Sequence, residues 1–270
     1  LHSEFIYYIV TIVSAPKDKA EMGKLFKAYA NLSADFKAEL GETKDKFISM
    51  SPEHLRVILV VYSSALLPLL ILPLLQRRRA VPAWVTQAYL GSFVLCALGW
   101  EIWFTYGLVA GEAVDLRRAD DLNQYLPIHI NWLLNSLADA GSITLVGLWL
   151  MWLVSGKHPR VFQHWHWGAF GVFMIWCLAQ NIIVEMFLYH DQLAVGKPLS
   201  WAPLAPGGPW WNPLLFEFQG RTITFQGQVP WLLAPWLIYG GVIVLARKSA
   251  DQLLGTVPTA SRSSGTPSDR

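Results

Sequence analysis

The sequence predicts an all-α fold, a polytopic integral membrane helical bundle with five full spans and a partial N-terminal apolar segment, and three observations carry that prediction. The first is composition. Hydrophobic residues make up 53% of the chain and charged residues 15%, with a mean hydropathy of +0.34; a soluble globular domain carries about 25% charged residues. The second is distribution, because the apolar residues come in blocks long enough to cross hydrocarbon instead of in amphipathic stripes. The third is charge placement. Arg77, Arg78 and Arg79, then Lys157, His158 and Arg160, then Arg247 and Lys248 all fall on one side when the spans alternate, and short loops rich in Lys and Arg stay cytoplasmic.

Taken in order, residues 1–15 are apolar but too short to span alone, and read as a partial segment or signal anchor. Residues 16–56 predict an extracytoplasmic amphipathic helical region, since Leu25, Phe26, Tyr29, Leu32, Phe36 and Leu40 recur at helical spacing with Lys and Glu opposite. Residues 57–75 form the first full span, broken by Pro68 and Pro73. Residues 84–110 return outward with Glu101, and the connection 111–127 sets Glu112, Asp115, Asp120 and Asp121 against Arg117 and Arg118. Residues 128–154 run inward, 167–189 outward and 229–246 inward again. The bundle thus occupies residues 57–248. An outer lid loop at 190–228 carries Trp201, Trp210 and Trp211, suited to headgroup depth, and a β-hairpin about Gln219 and Gly220. Residues 249–270, rich in Ser, Thr, Pro and Gly, predict a disordered cytoplasmic tail. The chain has no internal repeat, so the pattern of many secondary transporters is missing.

The chemistry lies in polar seams inside these spans. Asn131, Asn135 and Asp139 recur at four-residue spacing, which stacks them on one helical face. An ionisable residue at membrane depth costs at least about 2.5 kcal/mol on insertion scales unless it faces protein or water. The seam should therefore look inward, toward Glu101 on one helix and Gln180, Asn181 and Glu185 on another, all in the outer half of the membrane. Three carboxylates cannot all be charged in one low-dielectric pocket, so protons or a cation must be present. Three functions follow. An enzyme would use Glu101, Asp139 and Glu185 as acid and base on a lipid-soluble substrate oriented by Asn131, Asn135, Gln180 and Asn181. A carrier or channel component would use them to relay protons or hold a metal. A structural subunit of a membrane complex, or of a homo-oligomer, would use them only as interhelical hydrogen bonds.

His129 and His190, at the outer rim, are the weak metal-ligand candidates, while His158, His164 and His166 read as interfacial residues among Trp165 and Trp167. No metal-binding spacing, phosphate loop, serine elbow, haem-attachment motif or nucleic-acid-binding pattern is present, so neither cofactor nor nucleic acid is expected. Cys96 and Cys177 lie inside spans and read as small packing residues.

The order of Glu101 in WEIWFTYG, Asp139 in LADAGSITLVGLW, a short basic loop with His158 and Pro159, Gln180 and Glu185 in AQNIIVEMFLYH, and a Trp/Pro-rich last helix resembles the four-helix core of the emopamil-binding protein family, the EXPERA fold. That family includes sterol isomerases and non-catalytic ligand binders. The resemblance implies that Glu101 and Asp139 are the acid/base carboxylates and that Trp231 or Trp236 faces a substrate cation. The expected ligand is then a sterol- or isoprenoid-like membrane lipid.

Overall fold

The computed structural model describes residues 50–107, 112–197 and 212–255. The chain divides into two units after Ser51, and the second unit carries all the structure below. The expectations for the N-terminal apolar segment, for the amphipathic region up to residue 49, for Trp201, Trp210 and Trp211, and for the tail beyond residue 255 lie outside the described residues.

Five helices are long and apolar enough to cross a membrane: α1 (Pro52–Arg77), α2 (Ala83–Tyr106), α5 (Ile128–Val154), α6 (Trp167–Tyr189) and α7 (Phe225–Gly255). Two short helices, α3 (Val114–Arg117) and α4 (Asp120–Tyr125), connect α2 to α5. This is the all-α bundle that composition and block length predict. Helices α2, α5, α6 and α7 close a ring in which α6 packs on α7, α7 on α2 and α2 on α5. Trp100, Ile143, Met151, Phe173, Trp231 and Tyr239 fill its centre. Cys96 and Cys177 are fully buried free thiols in that core. Helix α1 lies outside the ring against the first half of α5.

Close helix crossings depend on small residues, because dispersion and not hydrophobic exclusion holds helices together in lipid. At Gly147 on α5 an added methyl group would overlap the Phe173 ring of α6. At Gly141 the same atom would lie 2.7 Å from the Pro68 ring and 3.5 Å from the Ser64 carbonyl of α1. This contact corrects the expectation that Pro68 and Pro73 break the first span. The helix runs through both prolines. Pro68 removes the amide that would bond the Ser64 carbonyl, and a membrane helix keeps its course when a neighbour covers the freed group.

A second correction concerns α7, which begins at Phe225 and not at residue 229. Gly227 and Pro230 look like loop residues in sequence. In the fold, the Asn212 side chain accepts the Gln226 amide at 2.9 Å and starts the helix early. The turn holding Gln226 and Gln228 is therefore buried instead of belonging to a lid. Ahead of it, β1 (Leu214–Phe218) and β2 (Arg221–Thr224) pair antiparallel. Gln219 and Gly220 between them adopt φ of 53° and 73°, the left-handed pair that a two-residue hairpin turn requires. At the basic end, His166 accepts the Ala169 amide at 3.3 Å and His158 accepts the Arg160 amide at 3.3 Å, so both serve as caps.

Gly147→Val should lower unfolding stability in detergent by about 1–3 kcal/mol, the usual cost of overpacking. Gly91→Ala, at a site with nothing within 4 Å, should leave it unchanged. Denaturant midpoints for the two variants check the assignment of the α5/α6 crossing.

Candidate intramembrane carboxyl site

Each of the three carboxyl residues sits where an α-helix changes into a π-helical segment. Glu101 closes the segment Ala97–Glu101, Asp139 immediately precedes Ala140–Val146, and Glu185 opens Glu185–Tyr189. A π turn holds an extra residue, which re-aims side chains and weakens the carbonyl ladder, and such turns concentrate at functional sites. Tryptophan amines take up carbonyls in two of them. Trp132 Nε1 donates to the Ala97 carbonyl at 3.0 Å, and Trp176 Nε1 donates to the Ser142 carbonyl at 2.8 Å.

Glu101 and Asp139 come together across α2 and α5. Glu101 has no accessible surface, while Asp139 keeps some. Trp100 Nε1 donates to Asp139 Oδ2 at 2.8 Å, and the Trp231 ring of α7 lies 5.3 Å from the Trp100 ring. Glu101 is next to Asp139 and Asn135, yet neither of its carboxyl oxygens has a partner of hydrogen-bond geometry with both acids ionised. Two carboxylates are both acceptors; only a proton on one of them makes their contact a hydrogen bond. Tyr189, buried from α6, lies within electrostatic range of Glu101, Asp139 and Glu185 and stacks its ring on Phe104 at 4.5 Å.

Glu185 has a different setting. Gln228 Nε2 donates to Glu185 Oε2 at 2.7 Å, and Asn181 Nδ2 donates in turn to Gln228 Oε1 at 2.9 Å and to the Gly227 carbonyl at 3.1 Å. Gly227 must be small here. A Cβ would stand 3.0 Å from Glu185 Oε1. The chain Asn181, Gln228, Glu185 ties α6 to the first turn of α7.

Two arginines seal the acidic end of the bundle. Arg117 is 2% exposed, donates to the Phe104 carbonyl, lies 4.3 Å over the Phe104 ring and is within electrostatic range of Glu101. Burial lowers its pKa to about 10, against the pull of Tyr189, Glu101 and Glu112, so it stays charged at neutral pH. Arg118 donates to Asn123 Oδ1 at 2.6 Å, to Asn131 Oδ1 at 2.9 Å and to the Leu126 carbonyl. Outside them, Asp191 is paired with both Arg56 and Arg221.

Against the expected site, the fold brings Glu101, Asn135 and Asp139 together, with Trp231 behind Trp100. It engages Asn131 with Arg118 at the rim, and Asn181 with α7. Gln180 faces Ser142 at 3.5 Å. Trp236 stands at the basic end, its ring 4.4 Å from Phe170 and stacked on Trp165 at 5.6 Å. His129 pairs with the Tyr106 hydroxyl at 2.8 Å, and His190, held below the ordinary histidine range by burial, faces the Thr222 carbonyl at 3.4 Å. Among the described residues no three His, Cys, Asp or Glu side chains are grouped to hold a metal. Sequence reading missed Trp100, Tyr189, Gln228 and both buried arginines. The signal for the arginines was a cationic pair in a loop of otherwise acidic residues.

Gln228→Leu leaves Glu185 and Asn181 without their shared partner and should destabilise the protein by about 1–3 kcal/mol, as for a buried group left unsatisfied. Trp236→Phe, on a half-exposed aromatic patch, should cost less. Thermal unfolding of both variants in detergent gives the comparison.

No match to this chain was found among protein-family models, characterised proteins or solved structures, so the reading of the site rests on its own geometry.

Proposed function

We propose that this protein is an intramembrane acid/base enzyme or binder for a sterol- or isoprenoid-like lipid, with Asp139 and Glu101 as its proton-handling pair. One observation carries the reading: a fully enclosed carboxyl with unsatisfied oxygens lies against a second carboxyl that keeps accessible surface. In that arrangement Asp139 meets the ligand, and Glu101 behind it holds or returns the proton. Protonating a ring or chain double bond gives a carbocation, which the Trp100 and Trp231 faces would stabilise. Removal of a proton from the neighbouring carbon by the pair shifts the double bond and restores the acid, so protons and electrons balance without a redox partner. The resemblance to the emopamil-binding protein family supports the same substrate class. Glu185, hydrogen-bonded to Gln228 and fitted against Gly227, is better read as interhelical structure.

Solvent deuterium incorporation into added sterol and isoprenoid alkenes tests the reading. Wild-type protein should exchange, and Asp139→Asn and Glu101→Gln should each lose about 10²–10⁴ in rate while remaining folded. The double variant should be scarcely worse than either single one, because the two groups act as a unit. If stable Asp139→Asn and Glu101→Gln proteins exchange at the wild-type rate, the pair only joins helices.

We also infer that the basic end is cytoplasmic. Cysteine introduced at Arg78 or Lys157 should react with an impermeant reagent only from the cytoplasmic side, and cysteine at Asp120 only from the other. Labelling of Arg78 and Asp120 positions from one side would reverse this assignment.

A further inference from the structure

A cleft at the basic end is separate from the carboxyl pair. It encloses about 470 Å³ between the start of α2, the end of α5, the Pro159–Phe162 turn and α7, within the roughly 300–1,000 Å³ of small-molecule sites. No residue lining it is ionisable, and its wall is mainly aliphatic and aromatic, including Val85, Leu148, Trp149 and Trp152. Trp149 is 55% exposed, so the slot opens to the side of the bundle where lipid chains lie.

The mouth has the opposite character. The Lys157 ammonium lies 5.8 Å over the ring of Trp152, a wall residue. Arg247 donates to the carbonyl of Gln163, another wall residue, and its guanidinium meets His164 Nδ1 at 3.1 Å. Arg79, Arg160 and Lys248 are exposed close by in the chain. An apolar slot with a cationic mouth at the end of a membrane span is complementary to one kind of membrane molecule, an amphiphile with a long chain and a negative head.

We propose that this cleft binds one anionic phospholipid, with an acyl chain along Trp149 and Trp152 and its phosphate at Lys157 and Arg247. The site faces the leaflet at the basic end and works independently of the carboxyl pair. Its occupant would also brace the α2, α5 and α7 ends, which meet only around the slot at this level.

Native mass spectrometry of the full chain, released from detergent with an equimolar mixture of dioleoyl phosphatidylglycerol and dioleoyl phosphatidylcholine, tests this. The one-lipid adduct should be enriched about tenfold or more in phosphatidylglycerol, as expected of two cations each favouring an anionic lipid. Lys157→Gln should cut that enrichment about fivefold, the equivalent of about 1 kcal/mol per basic residue. Ala250→Trp, which fills the slot, should reduce retention of both lipids, and thermal unfolding establishes that each variant is folded. Equal retention of the two lipids by wild-type protein overturns the proposal by itself, whatever the variants do. So does an enrichment that Lys157→Gln leaves unchanged.

Discussion

A carboxyl group enclosed by helices has no water to satisfy it, and the architecture around Glu101 and Asp139 follows from that constraint. Every donor within reach has to come from protein. Trp100 supplies one to Asp139, Asn135 stands beside Glu101, and Arg117 adds a positive field from the sealed end. Helices α2 and α5 bring these groups to one level only because each passes through a π turn there. A regular α-helix would rotate the side chain after the extra residue away by about 100°, the angular step of 3.6 residues per turn.

The π turns make the backbone part of the same problem. Their wider carbonyl spacing would leave oxygens exposed to hydrocarbon, where an unsatisfied group costs several kcal/mol. Trp132 and Trp176 reach from neighbouring helices to two of these carbonyls. The tryptophan content of the chain thus has a use beyond the membrane boundary: a large apolar ring that carries one donor can enter the bundle and end on an oxygen. Glu185 shows the alternative solution, with two side-chain amides in series joining α6 to α7.

The spans were legible because hydrophobic block length depends only on bilayer thickness, and α5 and α6 begin and end where the sequence places them. The pairing of Glu101 with Asp139 was legible from depth, since both lie in the same half of their spans. What stayed hidden was anything set by contacts between distant segments. Gln228 reads as a loop residue until Asn212 is seen to start α7 early. Arg117 and Arg118 read as ordinary exterior charge until their guanidinium groups are found enclosed by carbonyls and by Asn131. Trp231 and Trp236 look interchangeable in sequence, but five residues of helix put the first beside Trp100 and the second in the Trp165 cluster.

The contact between Pro68 and Gly141 has a consequence for biosynthesis. Helix α1 leaves the ribosome well before α5, so the Ser64 carbonyl that Pro68 frees enters the bilayer before residue 141 exists to cover it. Until then the chain has only its own hydroxyls nearby, with Ser63 and Ser64 already bonded back to Leu59 and Val60. The first span is therefore inserted as a helix with one weak point, and it reaches its final form only when the third transmembrane segment arrives.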